Sequence, residues 1–129
     1  MSYALNRDIR SFEAAAAIGG YLIVAGTGTG AKIRTAAAAT DKIVGVGERV
    51  GADAGDFHDA TVAGLTEVRA GGAFAAFDPL TSDAQGRAVK AVPVAGQIVR
   101  IVGIAHAPAL AAGDIVPVQV ALSLLSTPA

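Results

Sequence analysis

Gly26-Thr-Gly-Thr-Gly30 is the stretch that most invites a chemical reading, because closely spaced glycines let backbone N–H groups approach a phosphate. A phosphate loop of that kind needs Lys followed by Ser or Thr after the last glycine, and then a helix. Here Ala31-Lys32-Ile33 follows, and the next residues read as a strand. The dinucleotide fingerprint lacks its third, helix-opening glycine. The run is therefore expected to be a hairpin turn. Asp53, Asp56, His58 and Asp59 crowd one segment and supply hard oxygen and imidazole ligands for a divalent cation. The alternating acidic positions and closing Glu of a calcium loop are missing, so this segment reads as a solvated acidic loop. Ser82, Asp83 and His106 are the right types for nucleophilic catalysis, but no Gly-x-Ser-x-Gly elbow presents the serine. His106 closes a strand-like run and reads as a rim residue. Paired carboxylates for glycoside cleavage would need a sugar cleft, and the chain has only four Phe, two Tyr and no Trp to line one. These residues point away from an enzyme, and no metal or cofactor is expected.

The elements that would position such residues read as short strands. Candidates are Tyr21–Ala25, Ala31–Ala36, Ile43–Val46, Ala60–Ala63, Thr66–Arg69, Arg87–Val92, Arg100–His106 and Ile115–Leu122. Alternation is visible in several. Ala31, Ile33 and Thr35 share a face opposite Lys32 and Arg34, and Thr66 and Val68 oppose Glu67 and Arg69. Asp78-Pro79, Asp83-Ala-Gln-Gly86 and Gly113-Asp114 supply the turns. Ala14–Ile18, Thr35–Thr40 and Pro108–Ala112 could each form a helical turn but are too short for independent helices. The expected fold is all-β: a small β-barrel or sandwich-like domain with an extended N-terminal arm and at most short helical turns.

Composition narrows the function. Hydrophobic residues make up 53% and aromatics 5%, so the core must be built from Val, Ile, Leu and Ala. A core of small side chains stabilises a lone domain modestly, and association with other subunits is a common remedy. Net charge is −1, which gives no basic footprint for nucleic acid. No cysteine is present, so folding needs no oxidising compartment and synthesis in a host cytoplasm is expected. The charged start is no signal peptide. The uncharged stretch 14–31 is too rich in glycine for a membrane-spanning helix.

An internal repeat is legible. Ile43-Val44-Gly45-Val46 matches Ile101-Val102-Gly103-Ile104, Ala54-Gly55-Asp56-Phe57 matches Ala112-Gly113-Asp114-Ile115, and Val62-Ala63 matches Val120-Ala121. All three share one offset of 58 residues (101 minus 43). Gly19-Gly20 echoes Gly71-Gly72 at a slightly shorter one. Two similar β-units, about 19–63 and 71–121, would thus close on each other within one domain, 14–129. The glycine of each Ile-Val-Gly permits a bulge or a close backbone approach. The arm, residues 1–13, lies outside these motifs. Two placements are open to it: pairing along its own domain, or staying loose until a partner orders it.

The order Leu65-Thr-Glu-Val-Arg-Ala-Gly-Gly72, Phe77-Asp-Pro-Leu-Thr-Ser-Asp-Ala-Gln-Gly-Arg-Ala-Val89, Ile101-Val-Gly-Ile-Ala105 and Ala111-Ala-Gly-Asp-Ile-Val116 resembles the tailed-phage capsid cement, or head decoration, proteins. The resemblance spans roughly residues 18–122, and Phe77 stands where the family's turn often carries Gly. It implies a small, β-tulip-like, trimeric subunit without catalytic residues. Such a homotrimer would sit on the outer capsid surface of the virion, bind the major capsid protein at three-fold or quasi-three-fold positions, and bridge capsomers. Neither nucleic acid nor membrane is implied as a partner. Tyr3, Leu5, Arg7, Ile9, Arg10 and Phe12 of the arm are the candidate partner-binding residues. The competing readings are a trimeric β-module of a phage tail fibre or receptor-binding protein, and a small β-barrel hydrolase.

Overall fold

The computed structural model describes residues 7–126. They form nine strands: β1 (Asp8–Glu13), β2 (Ile23–Gly26), β3 (Ile33–Thr35), β4 (Ile43–Gly47), β5 (Phe57–Arg69), β6 (Pro79–Ser82), β7 (Ala88–Lys90), β8 (Ile98–Ala105) and β9 (Ile115–Ser126). The described residues contain no helix. The three alanine-rich candidate turns instead bond to distant segments: Ala14 N–H donates to Asp56 O, Ala36 N–H to Ile23 O, and Ala109 N–H to Phe74 O. Backbone partners far along the same chain outcompete a one-turn helix that would leave most of its end groups unsatisfied.

All neighbouring strands pair antiparallel in the order β3-β2-β4-β5-β9-β8-β6-β7, with β1 paired to β5. That order is palindromic: β2, β3, β4 and β5 of one half match β6, β7, β8 and β9 of the other. The sheet curls so that β4 lies against β8 and β9. Ile23, Ala25 and Val46 of one half meet Val68, Leu80, Val102, Val116 and Val118 of the other in the main core cluster, whose one aromatic residue is Phe74. Small side chains suffice because the two curled halves approach closely.

The duplication recurs in the pairings. Gly45 lies where a Cβ would collide with the Thr61 carbonyl, and Gly103 where one would collide with that of Gln119. The clashing partners are again 58 residues apart. The close approach expected of Ile-Val-Gly is therefore made twice, in the same place. Ala14 bridges Ile33 as Ala70 bridges Ala88, and Ile18 bridges Ala52 as Phe74 bridges Ala109. Among the described residues, Tyr21 and Phe77 are the two non-glycine residues with positive φ, 62° and 67°, at matching positions. Phe77 thus holds a left-handed backbone at the turn position where the resembled family often carries Gly.

These matches carry the repeat upstream of Gly19-Gly20 and into the arm. β1 pairs the first half of β5, from Asp8 opposite Ala63 to Glu13 opposite Phe57. The second half of β5 pairs β9 in the same way, from Gly64 opposite Val120 to Arg69 opposite Ile115. Residues 8–13 are the first strand of the first unit and lie along their own domain. The two strands expected at 60–63 and 66–69 are one strand. Gly64, at φ 99°, is the bend at which β5 exchanges its partner β1 for β9. β6 arises where a turn alone was expected, since Pro79 is tolerated as the first residue of a strand.

Candidate interaction surfaces

Tyr3 and Leu5 lie outside the described residues. The other four arm candidates are dispersed by the strand that carries them. The Arg7 guanidinium reaches Glu48 Oε1 at 3.2 Å. Ile9 is exposed, and so is Arg10, which pairs with Asp8 at 3.3 Å. Phe12 turns inward and packs on the secondary cluster of Ala14, Ile18, Val24, Ile33 and Ala60. Ile9 and Arg10 are thus available to a partner, while Phe12 serves its own domain.

A concavity of about 730 Å³ is lined by Arg7, Tyr21, Glu48, Arg49, Leu65, Thr66, Glu67, His106 and Pro117. It sits where β5 changes partners. Its floor is a closed polar network. Glu48 Oε1 holds Arg7, and Glu48 Oε2 accepts from the hydroxyls of Thr61 at 3.1 Å and Thr66 at 3.4 Å. His106 Nε2 lies 3.1 Å from Gln119 Oε1, and the Phe77 ring meets the imidazole edge-on with centroids 6.2 Å apart. Glu48 and His106 occupy matching positions in the two units, as do Thr61 and Gln119, so each unit places its own polar pair at the same point of the fold. The result is a mixed polar and apolar groove in which Arg7 and Glu48 answer one another, with Arg49 and Glu67 also on its lining.

The other chemistry-bearing residues do not converge. Ser82 donates its hydroxyl to the backbone oxygen of Asp83 at 2.8 Å. The Asp83 carboxylate instead organises its own turn, accepting from the N–H groups of Gln85 and Arg87 and from Arg87 Nε at 2.9 Å. Within the acidic segment, period-2 geometry divides the side chains. His58 is buried, whereas Asp59 faces outward and accepts from the Ser11 hydroxyl. Among the described residues no three His, Asp or Glu side chains gather as a metal site. Gly26–Gly30 links β2 to β3, with Gly28 and Gly30 at positive φ and Thr29 N–H donating to Thr27 Oγ1 at 3.1 Å.

His58 was masked by its neighbours in the sequence. Its Nε2 is buried without a hydrogen-bond partner and lies against Gly47, where a Cβ would collide with it. Burial holds its pKa below the usual 6.5, against the pull of Asp59 and Glu48. The matching residues of the second unit are Val116 and Ala105, a well-packed apolar pair. Ala60 shares the inward face of β5 with His58, so its position on that face was readable from alternation. Asp41 ties the β3–β4 connection. Burial alone would raise its pKa, but Arg34 at 3.1 Å and the Ala37 N–H at 2.7 Å outweigh burial and hold it below 3.8.

Exposed apolar side chains cluster in two further places. Past Val120 an extra residue on β9 shifts the register with β8, so Leu125 packs with Val99 and Ile101 while Leu122 and Leu124 stay exposed, with Ile98 beside them on β8. Phe57 and Val50 stand out beside the acidic segment.

No protein-family model matches the chain, and no curated protein is similar to it in sequence. Among solved structures, the chain is similar to the head fiber gp8.5 N base of bacteriophage phi29, with a TM-score of 0.63 and 21% identity over 89% of this chain and 94% of that one. At that identity the likeness is one of fold, and it extends over nearly the whole of both chains.

Proposed function

We propose that this chain is a structural, non-enzymatic protein of a tailed-phage head: a cement subunit that binds the major capsid protein on the outer surface at three-fold or quasi-three-fold positions as a homotrimer. The observation that carries this reading is the likeness in fold, over 89% of the chain, to the base of a phage head fibre. The order of turn and strand motifs supports it independently. The physical mechanism is additive. Packaged nucleic acid pushes a thin shell outward, and a subunit touching several capsomers at once resists their separation. Each contact can be weak because the linked contacts act at a high effective concentration. The mixed-charge groove and the exposed Ile9 and Arg10 of β1 suit such contacts.

Co-sedimentation of the purified protein with expanded capsids tests the reading. Saturable binding at a fixed number of copies per shell is expected, and Ile9→Asp with Arg10→Glu should weaken it without unfolding the domain. A protein that stays in the supernatant at every capsid concentration refutes the proposal. A second reading, an anchor that fixes a projecting fibre to the head, draws on the neighbour being a fibre base. It shares the attachment but predicts no gain in the shell's resistance to heat.

A further inference from the structure

The end of the β8–β9 hairpin carries a patch that the domain does not use. Beyond Val120, β9 loses β5 as a neighbour, because β5 turns to β1 at Gly64. Residues 121–124 are exposed throughout, and Leu122 and Leu124 stand 46% and 56% open with Ile98 at 50%. Arg100, opposite Leu124 in the ladder, lies in the same patch and has no carboxylate partner among the described residues. Elsewhere on the chain the reverse arrangement occurs. Phe57, 68% exposed, forms a wall of two hollows, and the larger, about 490 Å³, is also lined by Asp53 and Asp56. Neither carboxylate has a cationic or hydrogen-bonding side-chain partner among the described residues. One surface is therefore aliphatic with an unanswered cation, and the other is aromatic with unanswered anions.

We infer that these surfaces bind each other between copies of this chain: Leu122, Leu124 and Arg100 of one subunit dock on Phe57, Asp53 and Asp56 of the next. The contact is heterologous, so each copy keeps one surface of each kind to offer, and the assembly ends by closing into a ring. At a net charge of −1 per chain, general repulsion between copies is slight and the local pairing decides. The inference rests on the homotrimer of the proposed function and assigns the surface that builds it.

The test is the mass of the purified full chain by sedimentation velocity over a concentration series, beside urea unfolding. Wild type is expected to be oligomeric at tens of micromolar. Leu122→Asp with Leu124→Asp should give monomer with a cooperative unfolding transition retained. Arg100→Glu should weaken self-association about tenfold or more, and adding Asp53→Lys and Asp56→Lys should restore it. A monomeric wild type, an Arg100→Glu variant that keeps the full oligomer mass, or a charge reversal that fails to rescue overturns the inference. Capsid co-sedimentation separates the two claims. A wild type that binds capsids while assembling through another face defeats this inference alone. An assembly broken by the hairpin variants but indifferent to capsids defeats the cement reading alone.

Discussion

Gly103→Ala is the most demanding test of the duplicated close approach. Gly103 lies between β6, opposite Leu80, and β9, opposite Val120. A Cβ there would meet the Gln119 carbonyl group and, at 3.0 Å, the Val120 Cα. These are backbone atoms in a paired strand, so no rotamer change relieves the overlap, and β8 and β9 must part. Overpacking of this kind costs about 1–3 kcal/mol, and each ladder bond weakened beside it about 0.5–1.5 kcal/mol. Restricting the unfolded chain returns about 0.4–1 kcal/mol. With one ladder bond weakened, the net expectation is a loss of about 2 kcal/mol. With a urea m-value of about 1–3 kcal/mol/M, the midpoint should fall on the order of 1–2 M at unchanged slope. Gly45→Ala should lose a similar amount, since it meets Thr61 in the same way. Gly72→Ala, with nothing within 4 Å of the new methyl, is the control and should stay within about 0.5 kcal/mol of wild type. A Gly103→Ala protein as stable as that control would refute the argument that the repeated glycine is demanded by strand contact.

Stability should decline as the pH falls below 6.5. The unfolded chain then protonates His58 while burial keeps the folded imidazole neutral, so its contribution is complete above 6.5 and is lost as the pH drops through the folded value. Asp41, held below 3.8, contributes its loss only in stronger acid, so urea midpoints at pH 7.5 and 5.0 isolate the histidine, and His58→Val should flatten the difference. Gly47→Ala alone should destabilise by about 1–3 kcal/mol through collision with the imidazole, and combined with His58→Val it should cost less than the sum, because the pair then copies Ala105 and Val116. Phe77→Gly should be neutral or stabilising in thermal melts, since it relieves a left-handed backbone worth about 1–2 kcal/mol, whereas Phe77→Val should lower the melting temperature.

Alternation and turn chemistry made most of the strands legible, including β3, β4 and β7, whose inward positions Ile33, Ile43, Val46 and Ala88 are buried. The offset of 58 residues read in the sequence also separates the two close approaches, Gly45 on Thr61 and Gly103 on Gln119. What the sequence hid has definite causes. Residues 8–13 carry too many charges to look like part of a packed unit, because their outward face is open and their strand leans on β5 for its pairing. Pro79 disguised β6 as a turn. Gly64 disguised a single strand as two, since a bend and a break have the same local signature. On the candidate surfaces, the arm residues were read together as partner-binding, but once β1 lies along β5 Phe12 packs on the domain's own cluster while Ile9 and Arg10, nearer the start of the strand, stay exposed. The groove around Glu48 and His106 joins residues more than fifty positions apart, and only the curl of the sheet brings them together.

The shared backbone of β5 binds the fates of the two halves. A bead-like tandem can lose one bead and keep the other, but here the closing strand of one half runs without interruption into the opening strand of the next. Melting that begins at either end must travel through the same thirteen residues, so the molecule should come apart in one step, and neither half should survive being expressed alone.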